Sequence, residues 1–183
     1  MSRAYRHFPD GQYLYFITST VVSWFPLFLT QDYFSILADS FRYCHSQKGL
    51  LIHAYVIMPN HFHMIASSQP RDALPGIIRD LKRYTSRELT SLIEEEEPSY
   101  RQLALQNAAQ KVERGNSYMV WQEGYHPIAI YSQSFFRQKL DYLHDNPVRK
   151  GFVRKAEDWR YSSADVYVNG TAGDVPIDLI DLC

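Results

Sequence analysis

The chain has 183 residues, of which 45% are hydrophobic and 15% aromatic, enough for one domain with a full core. No run approaches 18 apolar residues and no signal-peptide core is visible, which predicts a cytoplasmic protein without a membrane segment. Cys44 and Cys183 are too few for a disulfide framework or a Cys₂His₂ zinc site. A net charge of −1 excludes a general nucleic-acid coat protein.

The residue pattern predicts alternating strands and helices. In chain order we expect a strand over 12–22, a helix over 31–48 that stops at Gly49, strands over 50–58 and 62–67, a helix over 74–93, a strand over 126–131 and a helix over 134–144. The order β-α-β-β-α-β with an added C-terminal helix is that of a ferredoxin-like sandwich, an α+β fold. We expect one domain over 1–183, with 94–118 as a flexible insertion and 152–183 as a C-terminal extension.

Two histidines, His61 and His63, lie where the predicted strand over 62–67 begins, directly after Pro59 and Asn60. Alternate residues of a strand share a face, so the two imidazoles would point the same way, roughly 6.5–7 Å apart at Cα. Such a pair can close on one divalent ion, since imidazole suits metals such as Mn and Zn. The pattern alone leaves a second interpretation open, namely two hydrogen-bonded polar residues at a strand end.

The predicted helix over 134–144 carries a candidate nucleophile, Tyr142. Asn146 follows four residues later, so both side chains would lie on one face, one turn apart. Asn146 precedes a proline, which places it at the helix end, where its amide oxygen is a candidate third metal ligand. The rival nucleophile is Tyr84, which has basic neighbours but no amide four residues on.

Basic residues gather in two parts of the chain. Those on the predicted helix over 74–93 and those after Tyr142 are candidate phosphate contacts for a nucleic-acid hairpin. The candidates are Lys82, Arg83, Arg87, Arg149 and Lys150.

These motifs together resemble a known family. The order is Pro59-Asn60-His61-Phe62-His63, then Asp141-Tyr142-(x)₃-Asn146-Pro147-Val148-(x)₂-Gly151, then Trp159-Arg160-Tyr161-Ser162-Ser163. It is similar to the single-tyrosine HUH transposases (IS200-like), and among them to the REP-associated tyrosine transposases, which are tied to repetitive extragenic palindromes. The resemblance implies that His61 and His63 bind the metal and that Tyr142 attacks DNA. Related transposases often carry glutamine where this chain has Asn146.

The resemblance implies a metal-dependent endonuclease and strand transferase that cleaves single-stranded DNA next to a hairpin through a 5′-phosphotyrosine. The expected cofactor is Mg²⁺ or Mn²⁺, the expected partner is a REP-like DNA palindrome, and the protein would act as a monomer or homodimer. Two other functions fit the same residues. One is a non-catalytic hairpin-binding module, and the other is a nuclease in which water attacks and Tyr142 only packs.

Overall fold

The structure is a computed structural model that describes residues 14–70, 73–95, 100–110 and 119–180. The strands are β1 (Leu14–Thr20), β2 (Leu50–Met58), β3 (His61–Ser68) and β4 (Ile128–Ile130). The helices are α1 (Gln31–Lys48), α2 (Leu74–Glu95), α3 (Tyr100–Gln110), α4 (Gln133–His144), α5 (Asn146–Arg149) and α6 (Ala164–Asn169). No helix within these ranges is long and apolar enough to cross a membrane.

The strands form one antiparallel sheet in the order β2-β3-β1-β4. The two β-α-β connections, through α1 and through α2, each skip one strand position, which is the ferredoxin-like arrangement that the sequence predicts. The predicted α+β class is therefore confirmed. Helix α4 follows β4, so the candidate nucleophile reaches the sheet on an element outside the β-α-β-β-α-β core.

Most boundaries agree with the sequence pattern. Helix α1 has the predicted limits because Gly49 ends it with a left-handed backbone (φ 72°), where a side chain would also clash with the carbonyl oxygen of Gln69. Strand β3 begins at His61, one residue before the predicted strand, and β4 is shorter than predicted. The first residues of the predicted strand over 12–22 lie outside the described residues.

The pleat of β3 divides its side chains between two hydrophobic clusters. Phe62, Met64 and Ala66 point into the larger cluster beneath α1 and α2. Ile65 points to the other face, where it packs in a smaller cluster with Phe136 of α4. Because side chains alternate along a strand, His61 and His63 share the face of Ile65. The sheet is thus covered by α1 and α2 on one face and by α4 on the other.

Two details of the helices differ from expectation. Tyr84 is half exposed, whereas the sequence pattern places it on the apolar side of its helix. Thr85 is buried instead. Its hydroxyl donates a hydrogen bond to the Leu81 carbonyl and accepts one from Trp121 Nε1, so this polar group has partners inside the core. Within 94–118, α3 is helical and buries Leu105, so part of the predicted insertion is structured, and its flexibility stays a prediction.

The C-terminal extension covers the open edge of β2. Asp178 donates its backbone N–H to the Ile52 carbonyl and accepts the Ile52 N–H through its carboxylate, both at 2.8 Å. Further along the same strand, Ile57 donates to the Tyr161 carbonyl. An uncovered edge strand presents unpaired backbone groups to other chains, so this segment completes the sheet.

Candidate active site

The histidine pair lies on the α4 face of the sheet, at the end of β3 where the chain enters it. His61 and His63 are both 6% exposed, and their ring centroids lie 4.7 Å apart. Antiparallel pairing sets Thr18 of β1 directly opposite His63. The two imidazoles therefore converge, as the alternation along the strand predicts.

Each histidine has its Nδ1 atom engaged by a neighbouring oxygen. His63 Nδ1 lies 2.8 Å from Thr18 Oγ1, and His61 Nδ1 lies 2.7 Å from Asn60 Oδ1. The Asn60 amide cannot be turned round, because its Nδ2 donates to the Trp24 carbonyl at 3.1 Å. His61 must then carry its proton on Nδ1, which leaves Nε2 unprotonated and facing the Asn146 amide.

Burial keeps both rings neutral. It lowers the pKa of His61 to about 4, with a smaller repulsion from Lys150. It also lowers the pKa of His63 to about 3, assisted by repulsion from His61, Arg149 and Lys139. Both imidazoles therefore keep an unprotonated nitrogen at neutral pH, which is the form that binds a metal.

Tyr142 lies beside this pair in the last turn of α4. Its ring is 5.5 Å from the ring of His63 and 6.0 Å from that of Phe16, yet the residue is 42% exposed. Helix α4 begins where the Ser132 hydroxyl accepts the Phe135 N–H, which is an ordinary N-cap. The tyrosine thus has one side against the histidines and the other open to solvent.

Two cations flank the Tyr142 ring. The guanidinium of Arg149 lies over the ring at 4.4 Å from its centroid and also donates to the Tyr142 carbonyl at 3.1 Å. Lys139 Nζ lies 5.7 Å from the same centroid. Arg149 is further held by an ion pair with Asp145 at 3.5 Å. Two positive charges close to this ring suit the binding of a phosphate.

Asn146 closes the third side of the site. Pro147 lacks the N–H that would continue α4, so the chain turns at Asp145 and α5 begins at Asn146. The Asn146 side chain is 3% exposed, and its amide lies 3.4 Å from His61 Nε2. Turning this amide by 180° exchanges its nitrogen for its oxygen, so the same position can offer an oxygen ligand.

The donor set fits a divalent ion with two imidazole nitrogens and one amide oxygen. In the described part of the chain, no three His, Cys, Asp or Glu side chains are grouped as metal ligands, and the Asn146 amide is the polar group beside His61 that can add an oxygen donor to the two imidazoles. Imidazole and amide oxygen together suit Mn²⁺ better than Mg²⁺, which prefers all-oxygen sites. The Nδ1 contacts of Thr18 and Asn60 would hold both rings in the ligating orientation.

Comparison with known proteins assigns the chain to a family. Residues 27–146, about two thirds of the chain, match the family model described as "Transposase IS200 like". The chain belongs to the IS200-like transposase family. The resemblance drawn from the motifs is confirmed, and the protein is a member of a family of DNA transposases.

Two similar proteins share nearly the whole length of this family member. A protein of Haemophilus influenzae named as a REP-associated tyrosine transposase is 26% identical over 181 residues, which is 95% of each chain. A solved structure of a REP-associated tyrosine transposase bound to a REP hairpin aligns with a TM-score of 0.61 at 22% identity. The alignment covers 100% of this chain and 95% of that one, so the two share a fold.

The structure separates the predicted DNA contacts of this transposase into two groups. Arg149 and Lys150 lie at the site. Arg149 covers the Tyr142 ring. The pKa of His61 is lowered mainly by burial and to a smaller extent by repulsion from Lys150. The basic residues of α2 belong to the helix layer on the other face of the sheet. Arg83 and Arg87 are exposed there in ion pairs with Asp80 and Glu88.

Lys82 and Tyr84 also lie on α2. The Lys82 ammonium donates to the Gln122 and Gly124 carbonyls at 2.9 and 3.3 Å, so it holds a backbone segment of the protein. Burial lowers the pKa of Lys82, with a smaller opposing effect of Glu123. Tyr84 lies under the Arg87 guanidinium at 5.3 Å. Helix α2 packs over the larger cluster, on the face of the sheet opposite to the histidine pair, so Lys82 and Tyr84 lie on a different side of the sheet from His61 and His63.

Sequence reasoning missed three residues of the site. Thr18 contacts His63 across strands, Asn60 fixes the tautomer of His61, and Lys139 lies one turn before Tyr142 on α4. A search for hydroxyl or amide residues beside the histidines would have found Asn60, which precedes His61 directly. Thr18 has no such signal, because its contact depends on the register between β1 and β3.

Proposed function

We propose that this transposase is a metal-dependent endonuclease and strand transferase that cleaves single-stranded DNA beside a hairpin through a 5′-phosphotyrosine. The observation that carries the proposal is the position of Tyr142, whose partly exposed ring lies 5.5 Å from the ring of His63. A partly exposed hydroxyl nucleophile beside a pair of buried, neutral imidazoles is an arrangement suited to attack on a bound phosphate.

The proposed metal ligands are His61 Nε2, His63 Nε2 and the amide oxygen of Asn146. A divalent ion held by these residues would supply Lewis-acid chemistry, that is, stabilisation of the negative charge that develops on a phosphate under attack. Thr18 and Asn60 orient the two rings through their Nδ1 contacts. Burial contributes by keeping both imidazoles unprotonated.

The chemical step is a transesterification. Tyr142 Oη forms a bond to phosphorus, the bond from phosphorus to the 3′-oxygen breaks, and that oxygen takes up a proton while the phenol loses one. Arg149 and Lys139 lie close to the Tyr142 ring, where their positive charge would attract the phosphate under attack. Attack of a 3′-hydroxyl on the phosphotyrosine reverses the step, so strands are rejoined without ATP.

The proposed substrate combines an unpaired strand with a hairpin. The similar solved structure holds a REP hairpin, which supports a palindromic DNA partner. Arg149 and Lys150 are the proposed contacts to the phosphates of the cleaved strand, because they lie beside Tyr142 and His61. Contacts of Lys82, Arg83 and Arg87 with the hairpin remain predictions, and the carbonyl bonds of Lys82 favour a structural role.

A single protomer carries every proposed catalytic group, which supports catalysis within one chain. Tyr142 of α4 lies beside His63 of β3 in the same molecule. We therefore expect that mixing Tyr142→Phe with His63→Ala protein restores no cleavage. Restored cleavage would show that the nucleophile of one chain acts at the histidines of another, and it would make the homodimer the active form.

The central test is a search for a covalent protein–DNA adduct. The protein is incubated with Mn²⁺ and a hairpin that carries a single-stranded flank. The DNA is labelled at its 3′ end, because the tyrosine stays attached to the 3′ fragment, and the products are separated on a denaturing gel. We expect a shifted band that protease removes, and no band with fully paired duplex. A product with a free 5′-phosphate and no adduct would indicate water as the nucleophile. Binding without any cleavage would indicate a non-catalytic hairpin-binding module.

A further inference from the structure

Trp24 presents a large aromatic ring to solvent at the rim of the histidine site. It is 58% exposed, whereas Trp121 is buried in the core and Trp159 is partly buried against it. The Trp24 ring lies 5.9 Å from the ring of His61, at an interplanar angle of 69°. The most exposed tryptophan therefore stands directly beside a proposed metal ligand.

The backbone under Trp24 is strained. Ser23 and Trp24 both have left-handed torsions, with φ of 54° and 58°, which two consecutive residues with side chains rarely adopt. The turn is held because Trp24 donates its N–H to the Val21 carbonyl at 3.0 Å and Val22 packs into the core. Strain of this kind persists where the surrounding structure enforces it, and it is concentrated at functional positions.

One side chain connects this turn to the site. The Asn60 amide donates to the Trp24 carbonyl, and its oxygen accepts from His61 Nδ1. The same residue thus contacts both the backbone of Trp24 and the ring of a proposed metal ligand.

We propose that Trp24 is a stacking platform for an unpaired base next to the scissile phosphate, which makes it a substrate-selecting residue. The proposal rests on the proposed function, since it assumes that single-stranded DNA enters the site. Aromatic side chains bind single strands by stacking, and every base offers a face to them. A base inside a duplex is already stacked on both faces, so the platform favours unpaired DNA. The 5.9 Å between the Trp24 and His61 rings is within the span of one nucleotide.

The test compares Trp24→Ala and Trp24→Phe with Tyr43→Ala, all in the Tyr142→Phe background so that the DNA stays intact. Tyr43 is a matched control because it is 56% exposed and lies on α1, on the other face of the sheet. We expect Trp24→Ala to weaken binding of the single-stranded flank roughly 5- to 150-fold, the range for one lost base stack. Trp24→Phe should retain part of the affinity, and Tyr43→Ala should change nothing.

An abasic scan locates the stacked base. Single bases near the cleavage point are removed one at a time, and each oligonucleotide is titrated against the Tyr142→Phe protein with and without Trp24→Ala. At one position the missing base should weaken binding to the protein with Trp24 and cost nothing further once Trp24 is alanine. Stacking should also quench tryptophan emission on binding, and Trp24→Phe should lose most of that quenching.

The outcomes separate this proposal from the proposed function. If Tyr142 forms the adduct but Trp24→Ala binds the flank as tightly as the parent protein, the stacking proposal is wrong and the enzyme assignment stands. If Trp24 shows the base-specific loss while no adduct ever forms, stacking is correct and the catalytic assignment is wrong. A thermal unfolding curve matching that of the parent protein confirms that the alanine variant is folded, as expected for an exposed ring.

Discussion

The two faces of the sheet are built from the same strands and differ in what they contribute. Under α1 and α2, Phe62 packs with the rings of Phe41 and Trp121 at 5.2 and 5.6 Å. On the α4 face, His61 and His63 flank Phe62 in sequence, and each has one ring nitrogen bonded to a neighbouring oxygen. One strand thus supplies packing to one face and the proposed metal ligands to the other, so the two contributions can be altered separately.

The largest effect is expected from the nucleophile. Tyr142→Phe should abolish the covalent adduct completely, because only the hydroxyl is removed from the side chain beside His63. Tyr84→Phe, on the α1 and α2 side of the sheet, should leave the adduct at the level of the unmodified protein. Both variants are scored by the protease-sensitive band on a denaturing gel. The reverse pattern would exchange the roles that we give to the two faces.

Neighbouring residues of β3 allow a direct test of the comparison. Phe62→Ala should lower the free energy of unfolding by about 3–5 kcal/mol, because it leaves a cavity in a closed aromatic cluster. His63→Ala should eliminate cleavage while costing only about 1 kcal/mol. Urea unfolding and the adduct assay measure the two quantities.

Metal removal extends this test. EDTA should stop cleavage by the unmodified protein and change its unfolding midpoint little, since the core does not depend on the ion. A collapse of the unfolding curve on EDTA addition would make the histidine pair a structural site instead.

A smaller effect is expected at Thr18, which touches the site only through His63. Thr18→Val removes the Oγ1 partner of His63 Nδ1 and should weaken Mn²⁺ binding by about 10- to 100-fold, the usual range for such a contact. Thr18→Ser keeps a hydroxyl and should restore most of the affinity. Calorimetric titration with Mn²⁺ gives the constants directly. Equal affinities for all three proteins would mean that the hydrogen bond does not orient the ring.

The smallest effect concerns a third buried histidine, which serves the fold alone. His53 has both ring nitrogens engaged, with the Asp178 carbonyl at 2.7 Å and Ser67 Oγ at 2.8 Å. Burial lowers the pKa of His53 despite the opposing influence of Asp178. The unfolded chain therefore binds a proton that the folded one rejects, and stability falls as the pH drops below about 6.5.

The variant His53→Gln isolates this contribution. It should be less stable than the unmodified protein at pH 7, and the difference should narrow at pH 5. In the unmodified protein His53 takes up a proton on unfolding at the lower pH, which favours the unfolded state, and the variant lacks this group. Urea titrations at the two pH values provide the comparison. A difference that stays constant with pH would show that His53 titrates alike in the folded and unfolded states.

Local patterns were sufficient for much of the fold and failed where packing intervened. The limits of α1 follow from its apolar period and a stop glycine, both of which are local. The pattern places Tyr84 on the buried side of α2, but Thr85 is buried and Tyr84 is half exposed. Burial of the threonine is possible because its hydroxyl is hydrogen-bonded to the Leu81 carbonyl and to Trp121. Helix α3 lacks a clear apolar period, and it buries Leu105.

The sequence by itself determined the order of the elements and the shared face of His61 and His63, whereas the helix of Tyr142 ends at His144, before Asn146. The order and the shared face follow from the two-residue period of a strand and the turn of a helix, which need no distant partner. Only the tertiary structure decided that Thr18 contacts the ring of His63 and Asn60 that of His61, that Arg149 rather than the α2 bases lies at Tyr142, and that Trp24 stands beside His61. Strand register and helix docking bring together residues far apart in the chain, and no local pattern encodes those contacts.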